Sequence, residues 1–551
     1  MGHSNSSLAK GVFPPSRQVK TKYGTVEGRK LIHGEEKEVD AFQGIPFAKP
    51  PIGKLRFTLP QPPESWEGIK ETKQFGPRSY QKVTNFERTR IAPLYPKSED
   101  CLYLNVFTPC WKSQSDKGFP VLVYIHGGGF VMDSAIKYGD INICRNICKK
   151  DVVCVTIQYR LGFFGLWTTG DEACPDNLAL WDMTMALKWV KENIAEFGGD
   201  PDKVTIMGQS AGGASVDLLS ICPPSRDLFH QVIAMAGNAD ADFAVHTNAV
   251  ERCRLEAEKH GIIYKGNSEA WMEEVRKLPA EKLALELEIS PPVNGRVQCF
   301  IAPKIDGKFI TKPVEELRKE AKGKPRIVGL AKYEGDIFNI SPLPVTTKDC
   351  MKKVYQIIAG LLPEKQYGLQ TKKARDEICK MIIDYEKEHD KMTWKKAWIE
   401  ASGDMFLNIA TQKNVIQCLQ TSQEPCYFYS FDYFNPKMFG FISKMMPFVE
   451  STHCNDITFA LGTGIIVPFT FTEEDQRITD LFSALITNFV KFSDPNGQSD
   501  TEPLLKGVRW EPATLENPQK HIVIDKESSL QEVFKGGRPL RYVELERDFP
   551  P

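Results

Sequence analysis

The chain has 551 residues, a formal net charge of −1 and 41% hydrophobic residues. That is long and apolar enough for a large buried core, and the balanced charge gives no argument for nucleic acid or an acidic partner. No apolar run reaches the roughly 18 residues that a membrane-crossing helix needs.

The chain opens MGHSNSSLAKGVF, which is polar and has no apolar h-region, so it does not read as a secretory signal. Gly2 and Ser6 match M-G-x-x-x-[ST], the pattern for N-myristoylation. Lys10, Arg17, Lys20 and Lys22 follow before the first acid, Glu27. One acyl chain binds membranes only marginally, so these cations would serve as a second signal. An ordinary tail with a chance match reads equally well. Residues 1–17 are thus expected to be a flexible tail with an acylation pattern. The expected location is cytoplasmic, associated with membrane if Gly2 is acylated, and not secreted.

Residues 18–57 alternate polar and apolar residues between glycine breaks, which predicts antiparallel hairpin strands. Residues 58–98 are rich in Pro and polar residues and read as irregular. Leu102 to Phe107 reads as a buried strand. Val121 to Ile125 is a continuous apolar run, the signature of a parallel strand covered on both faces, and it leads into His126-Gly127-Gly128-Gly129. Asp151 to Tyr159 predicts another buried strand, and Trp181 to Phe197 an amphipathic helix. Residues 247–290 and 345–420 read as helical, with charged outer faces, placed to wall a pocket. No repeat or linker divides the chain. Residues 18–545 are expected to form one domain.

Lys203 to Leu219, KVTIMGQSAGGASVDLL, carries the chemistry. A β-branched strand leads into Gly208-Gln209-Ser210-Ala211-Gly212 and then a helix start, the context that a G-x-S-x-G elbow requires. The turn is sharp, so Gly208, Gly212 and Gly213 supply positions without bulk. It lifts the Ser210 hydroxyl clear and aims the Ala211 N–H at a developing oxyanion. Three bare glycines after a buried strand complete such an oxyanion hole. The expected donors are the amides of Gly128, Gly129 and Ala211.

A serine hydroxyl needs a base. In this arrangement the order is Ser, then Asp or Glu, then His. Beyond the middle of the chain lie His389, on a charged helix face, His521, in a short strand, and His453, in a polar loop between apolar segments. His453 best fits a loop-borne base. The strand-like Arg326 to Leu330 is followed by AKYEGD, where Glu334 before a glycine fits the orienting carboxylate and Asp336 is the alternative. No metal or cofactor is needed. Fourteen cysteines show no framework spacing, and Cys144, Cys148 and Cys154 lack the partners of a metal site. They read as free thiols.

The stretches FQGIPFAKPPIGKLRF, SEDCLYLNVFTP, HGGGF, YRLGFFG, FGGDPDKVTIMGQSAGG, EGDIF and HCNDITF together resemble the type-B carboxylesterase/cholinesterase family over about residues 20–545. The resemblance implies an α/β-hydrolase fold: a large, mostly parallel twisted sheet with helices on both faces and helical insertions over the site. It implies a Ser210–Glu334–His453 triad, hydrolysis of small-molecule or lipid-like esters through an acyl-enzyme, and a buried Glu99–Arg160 ion pair. Departures also matter. Ser79 stands where the partner of Cys101 would be, no cysteine follows Cys454, and Ile91 takes the place of the choline-binding Trp. Gln209 replaces the usual Glu beside the nucleophile, which favours neutral esters. Ala236 stands where many members have Ser. Some relatives keep the fold as adhesion or interaction proteins with a broken triad. Here every triad residue is present.

Overall fold

The apolar runs form the centre of one sheet, and the alternating runs form its edge. The computed structural model describes residues 8–82, 96–245, 248–287, 299–341, 343–385, 387–498 and 502–550; Gly2, Ser6 and Ile91 lie outside them. In chain order the strands are β1 (Pro15–Lys20), β2 (Thr25–Ile32), β3 (Val39–Pro46), β4 (Ile69–Glu71), β5 (Arg78–Ser79), β6 (Lys97–Ser98), β7 (Tyr103–Pro109) and β8 (Phe119–Ile125). They continue with β9 (Val153–Ile157), β10 (Gly199–Gln209), β11 (Gln231–Met235), β12 (Arg326–Ala331), β13 (Cys426–Phe431), β14 (His521–Ile524) and β15 (Ser529–Gln531).

Thirteen strands make one sheet in the order β1-β2-β3-β7-β9-β8-β10-β11-β12-β13-β14-β15, with β4 joined to β2. Every pairing from β9 across to β14 is parallel. The pairings of β1 with β2, β2 with β3, β3 with β7 and β7 with β9 are antiparallel. Side chains alternate across a strand. On β8, Val121, Val123 and Ile125 therefore enter one core, while Leu122 and Tyr124 enter the other. With both faces covered, neither face of the strand can carry charge, which is why the run reads as continuously apolar. The expected mostly parallel α/β sheet is present.

The opening differs from expectation. β1 begins at Pro15, so the sheet starts ahead of residue 18. The Ala9 amide donates to Asp140 at 2.8 Å, and Leu8, Ala9 and Phe13 pack on a core cluster. Polar composition had suggested a free tail, but spaced apolar residues anchor its described part. The helix expected from Trp181 begins at Leu178 and runs to Asn193, tightening into a 3-10 turn that ends at Phe197. The insertions are helical as expected, at Ala249–Lys259, Ser268–Arg276, Thr347–Leu361, Thr371–Ile382, Lys391–Gly403 and Ile409–Thr421.

The Glu99–Arg160 pair is not formed. Arg160 lies against Asp182, with 2.6 and 2.8 Å contacts, and Glu99 takes Arg56 instead, with Nε at 2.6 Å. Each arginine thereby meets a carboxylate through two of its nitrogens, the geometry that a guanidinium favours. Ser79 meets Cys101 side chain to side chain, where a disulfide partner would have stood. All fourteen cysteines are free thiols, and all but Cys110 and Cys454 are buried. Among the described residues no helix is long and apolar enough to cross a membrane.

Candidate active site

The elbow forms where β10 stops and the helix Ala211–Ile221 begins. Ser210 adopts φ +61° and ψ −126°, a strained conformation that persists only when its surroundings enforce it. Two backbone bonds do so: the Ser210 amide donates to Met235 O at 2.9 Å, and the Ala214 amide donates to Ser210 O at 2.9 Å. The helix lies so close to β8 that a Cβ on Gly212 would sit 2.2 Å from Ile125 O. All eleven residues of this helix are buried.

The glycine loop leaves the end of β8. His126 stacks on Tyr159, with centroids 4.5 Å apart, and the Tyr159 hydroxyl donates to His126 O at 2.8 Å. Gly128 has φ +93°, and a Cβ there would strike Met132 O at 2.1 Å. Only glycine fits, and the bend presents amides to the cavity. Among the described residues the amides of Gly128, Gly129 and Ala211 have no protein acceptor. Gly128 and Gly129 line the same cavity as Ser210, and Ala211 is the first residue of the helix behind it.

The imidazole comes from the opposite side. His453 Nδ1 lies 2.6 Å from Glu334 Oε2, and the other Glu334 oxygen accepts the Ala331 amide at 2.5 Å. β12 thus both delivers the carboxylate and holds it. Asp336 takes no part: it is buried, and among the described residues no side chain hydrogen-bonds to its carboxyl. Burial pushes Asp336 up to about 8. Of the two acids that spacing left open, geometry selects Glu334. The other late histidines are elsewhere, with His521 in β14 and His389 against Asp384 O at 2.5 Å.

Burial disfavours a charged His453, but the neighbouring Cys454 and Glu334 outweigh it and raise the imidazole well above its ordinary value. The hydrogen bond at its Nε2 is to the Gln209 carboxamide nitrogen, 3.2 Å away. Ser210 and His453 line one cavity and make no hydrogen bond to each other. Behind the pair, Asp456 accepts the Tyr429 hydroxyl at 2.8 Å. Burial and the Glu334 charge push Asp456 up to about 6.

The cavity measures about 230 Å³ and is walled chiefly by Met132, Phe243, Leu287, Phe338, Phe406 and Ile466. Phe338 stacks on Phe406 at 4.7 Å and packs on the His453 ring at 4.9 Å. Phe406 and Leu407 stand on a π-helical turn, Asp404–Asn408. Such turns often mark functional sites, but the apolar residues there carry no motif. Leu287, Phe406 and Leu407 fall in the insertions expected to wall a pocket, but nothing in the sequence singled them out within those segments. Phe338, inside the EGDIF stretch, was the one with a signal.

A model of the carboxylesterase family matches residues 15–539. Esterase cest-33 of Caenorhabditis elegans is 38% identical over 532 residues, covering 94% of this chain and 92% of that protein. Carboxylesterase 1C of Mus musculus is 32% identical, covering 89% of this chain and 87% of that protein. A medium-chain fatty acyl-CoA hydrolase precursor of Anas platyrhynchos is 31% identical over the same shares. Matched along nearly its whole length by the family model and by esterases of nematode and mouse, the chain belongs to the carboxylesterase family and is a serine carboxylic ester hydrolase.

Proposed function

We propose that Ser210 is the nucleophile, His453 its general base and Glu334 the carboxylate that orients and stabilises the imidazole. The observation that carries this reading is the 2.6 Å His453–Glu334 contact beside the cavity that also holds Ser210. With Nδ1 bonded to Glu334, the nitrogen left to act as base is Nε2. Ser210 Oγ attacks the ester carbonyl as His453 takes its proton. The carbonyl oxygen becomes an oxyanion held by the Gly128, Gly129 and Ala211 amides, where losing one donor typically costs roughly two to three powers of ten in rate. His453 then protonates the leaving alcohol. Water repeats the attack on the acyl-enzyme and releases the acid.

The substrate class is neutral, apolar esters. The walls are apolar, and the residue beside the nucleophile is the uncharged Gln209. Among the described residues the one carboxylate on the cavity wall, Asp133, is paired with Lys137 at 3.1 Å. A cationic alcohol finds no compensating charge there. The test is a panel of p-nitrophenyl esters of graded chain length, with Ser210→Ala as control. Equal rates for the two proteins on every ester would end the assignment. A catalytically silent interaction protein has no observation in its favour.

A second proposal concerns the N-terminus: acylation of Gly2, with weak membrane association of a cytoplasmic enzyme. It is supported by the M-G-x-x-x-S pattern and by exposed Lys10 and Lys20. Arg17 and Lys22 contribute less, being paired with Asp40 at 2.8 Å and Glu192 at 2.9 Å. Mass spectrometry of the native N-terminus from eukaryotic cells tests it, and an unmodified Gly2 would remove it.

A further inference from the structure

Hydrolysis requires an available lone pair on His453 Nε2, yet in this structure that lone pair is occupied. A carboxamide nitrogen carries two protons and no acceptor site. The 3.2 Å contact from Gln209 Nε2 therefore makes His453 Nε2 the acceptor and leaves the ring's single proton on Nδ1, facing Glu334. This is the tautomer that a base needs, but its partner is Gln209 and not Ser210.

The other end of the carboxamide decides this. Gln209 Oε1 accepts from Cys454 Sγ at 3.4 Å. With Oε1 toward the thiol, Nε2 faces the imidazole. Turned over, the amide would set two acceptors against each other. The thiol itself sits at some backbone cost. Cys454 has φ +73°, where side chains crowd the backbone and glycine does not. A residue that bears a side chain thus occupies a position suited to none, and that side chain reaches the one group that fixes the orientation of Gln209.

We propose that Gln209 and Cys454 form a resting latch on the general base: the Cys454 thiol orients the Gln209 carboxamide, whose N–H occupies His453 Nε2 until an ester fills the cavity and the ring turns to Ser210. Cys454 is a positioning residue that acts through Gln209. The inference rests on the roles proposed above for Ser210 and His453. Both latch residues line the cavity, so a substrate seated there displaces the resting contact directly.

The test compares full-length wild type, Cys454→Gly and Cys454→Ser in the rate at which a fluorophosphonate labels Ser210, and in steady-state hydrolysis of a short apolar p-nitrophenyl ester. Loss of one weak hydrogen bond corresponds to about threefold to tenfold in rate. Cys454→Gly is expected to label faster by that factor. Its kcat/KM, measured above the His453 limb, rises by the same factor and by more than kcat does, because the substrate has already opened the latch when kcat is measured. Cys454→Ser keeps a donor and returns both values to those of wild type. Cys454→Gly also melts no lower than wild type, because its backbone is relaxed. If both variants match wild type, or both slow down together, the latch is overturned. Wild type that is folded but never labelled overturns the roles of Ser210 and His453, and the latch with them.

Discussion

The helix Ala211–Ile221 borders two buried charge clusters that are completed in different ways. Asp217, in its body, accepts from Arg318 at 2.8 and 3.0 Å, Arg326 at 3.0 Å, Asn414 at 2.7 Å and the Ala239 amide at 2.9 Å. Burial alone would raise its pKa, but the two guanidinium groups hold it well below the usual carboxylate range. Asp240 shares Arg318 and Asn414 with it. At the N-terminal end of the same helix, Ser210 faces a cluster with fewer fixed partners. Glu334 has one amide and one imidazole, and beyond that imidazole stand a carboxamide and the Cys454 side chain. A charge that holds the fold together is surrounded until nothing is left to exchange. A charge that performs a reaction keeps one partner that can be replaced.

The largest expected effects break the open cluster. Ser210→Ala and His453→Ala should each lower kcat/KM for an apolar ester by at least about four powers of ten, and Glu334→Gln by up to about the same factor. Melting temperatures should move little. A Glu334→Gln enzyme as fast as wild type would remove the distinction between the clusters. In wild type, His453 must be neutral to act, and its pKa is raised. Activity should therefore fall about tenfold per unit as pH drops through a limb above the ordinary imidazole value near 6.5.

Breaking the closed cluster gives the opposite pattern. Arg318→Ala leaves Asp217 and Asp240 short of a buried partner and should cost about 3–5 kcal/mol in urea unfolding, while ester hydrolysis per folded molecule is kept.

Next in size is Asp336, a buried acid in neither cluster. Its pKa is raised from 3.8 to about 8 in the folded chain. The folded state therefore holds a proton that the unfolded state has lost, and stability falls as pH rises between those values. Asp336→Asn should flatten that fall and raise stability at pH 8 by about 1 kcal/mol or more, with no gain near pH 4. An unchanged slope would mean that the carboxyl is solvated. The smallest effect belongs to the wall. Phe406→Ala should change the ratio of kcat/KM between short and long acyl esters by about tenfold, leaving reactivity of Ser210 with a small phosphonate nearly unchanged.

Much of this could be read from the sequence because the signals were local. Val121 to Ile125 is apolar in every position since both of its faces are covered, and the elbow announces itself in five residues. The carboxylate was harder to place. Glu334 and Asp336 both follow β12, two residues apart, and only the turn after Ala331 decides which one meets His453. The implied Glu99–Arg160 pair failed because charge pairing depends on competitors, and Asp182 and Arg56, distant in sequence, bind each partner more completely. Which residues of the insertions face the cavity was hidden for a related reason. Phe243, Leu287, Phe338, Phe406 and Ile466 come from well-separated segments, and apolar residues in such segments look alike until they converge.

The complete burial of the helix that follows Ser210 limits how the enzyme can acquire new substrates. An element with no solvent-facing side has nowhere to place an altered side chain, so nearly every substitution between 211 and 221 must be accommodated by neighbours that are themselves enclosed. Variation is far easier where the insertions meet the cavity. A library aimed at a different ester should therefore be spent on positions 243, 287, 338 and 406, with the strut beneath them left untouched.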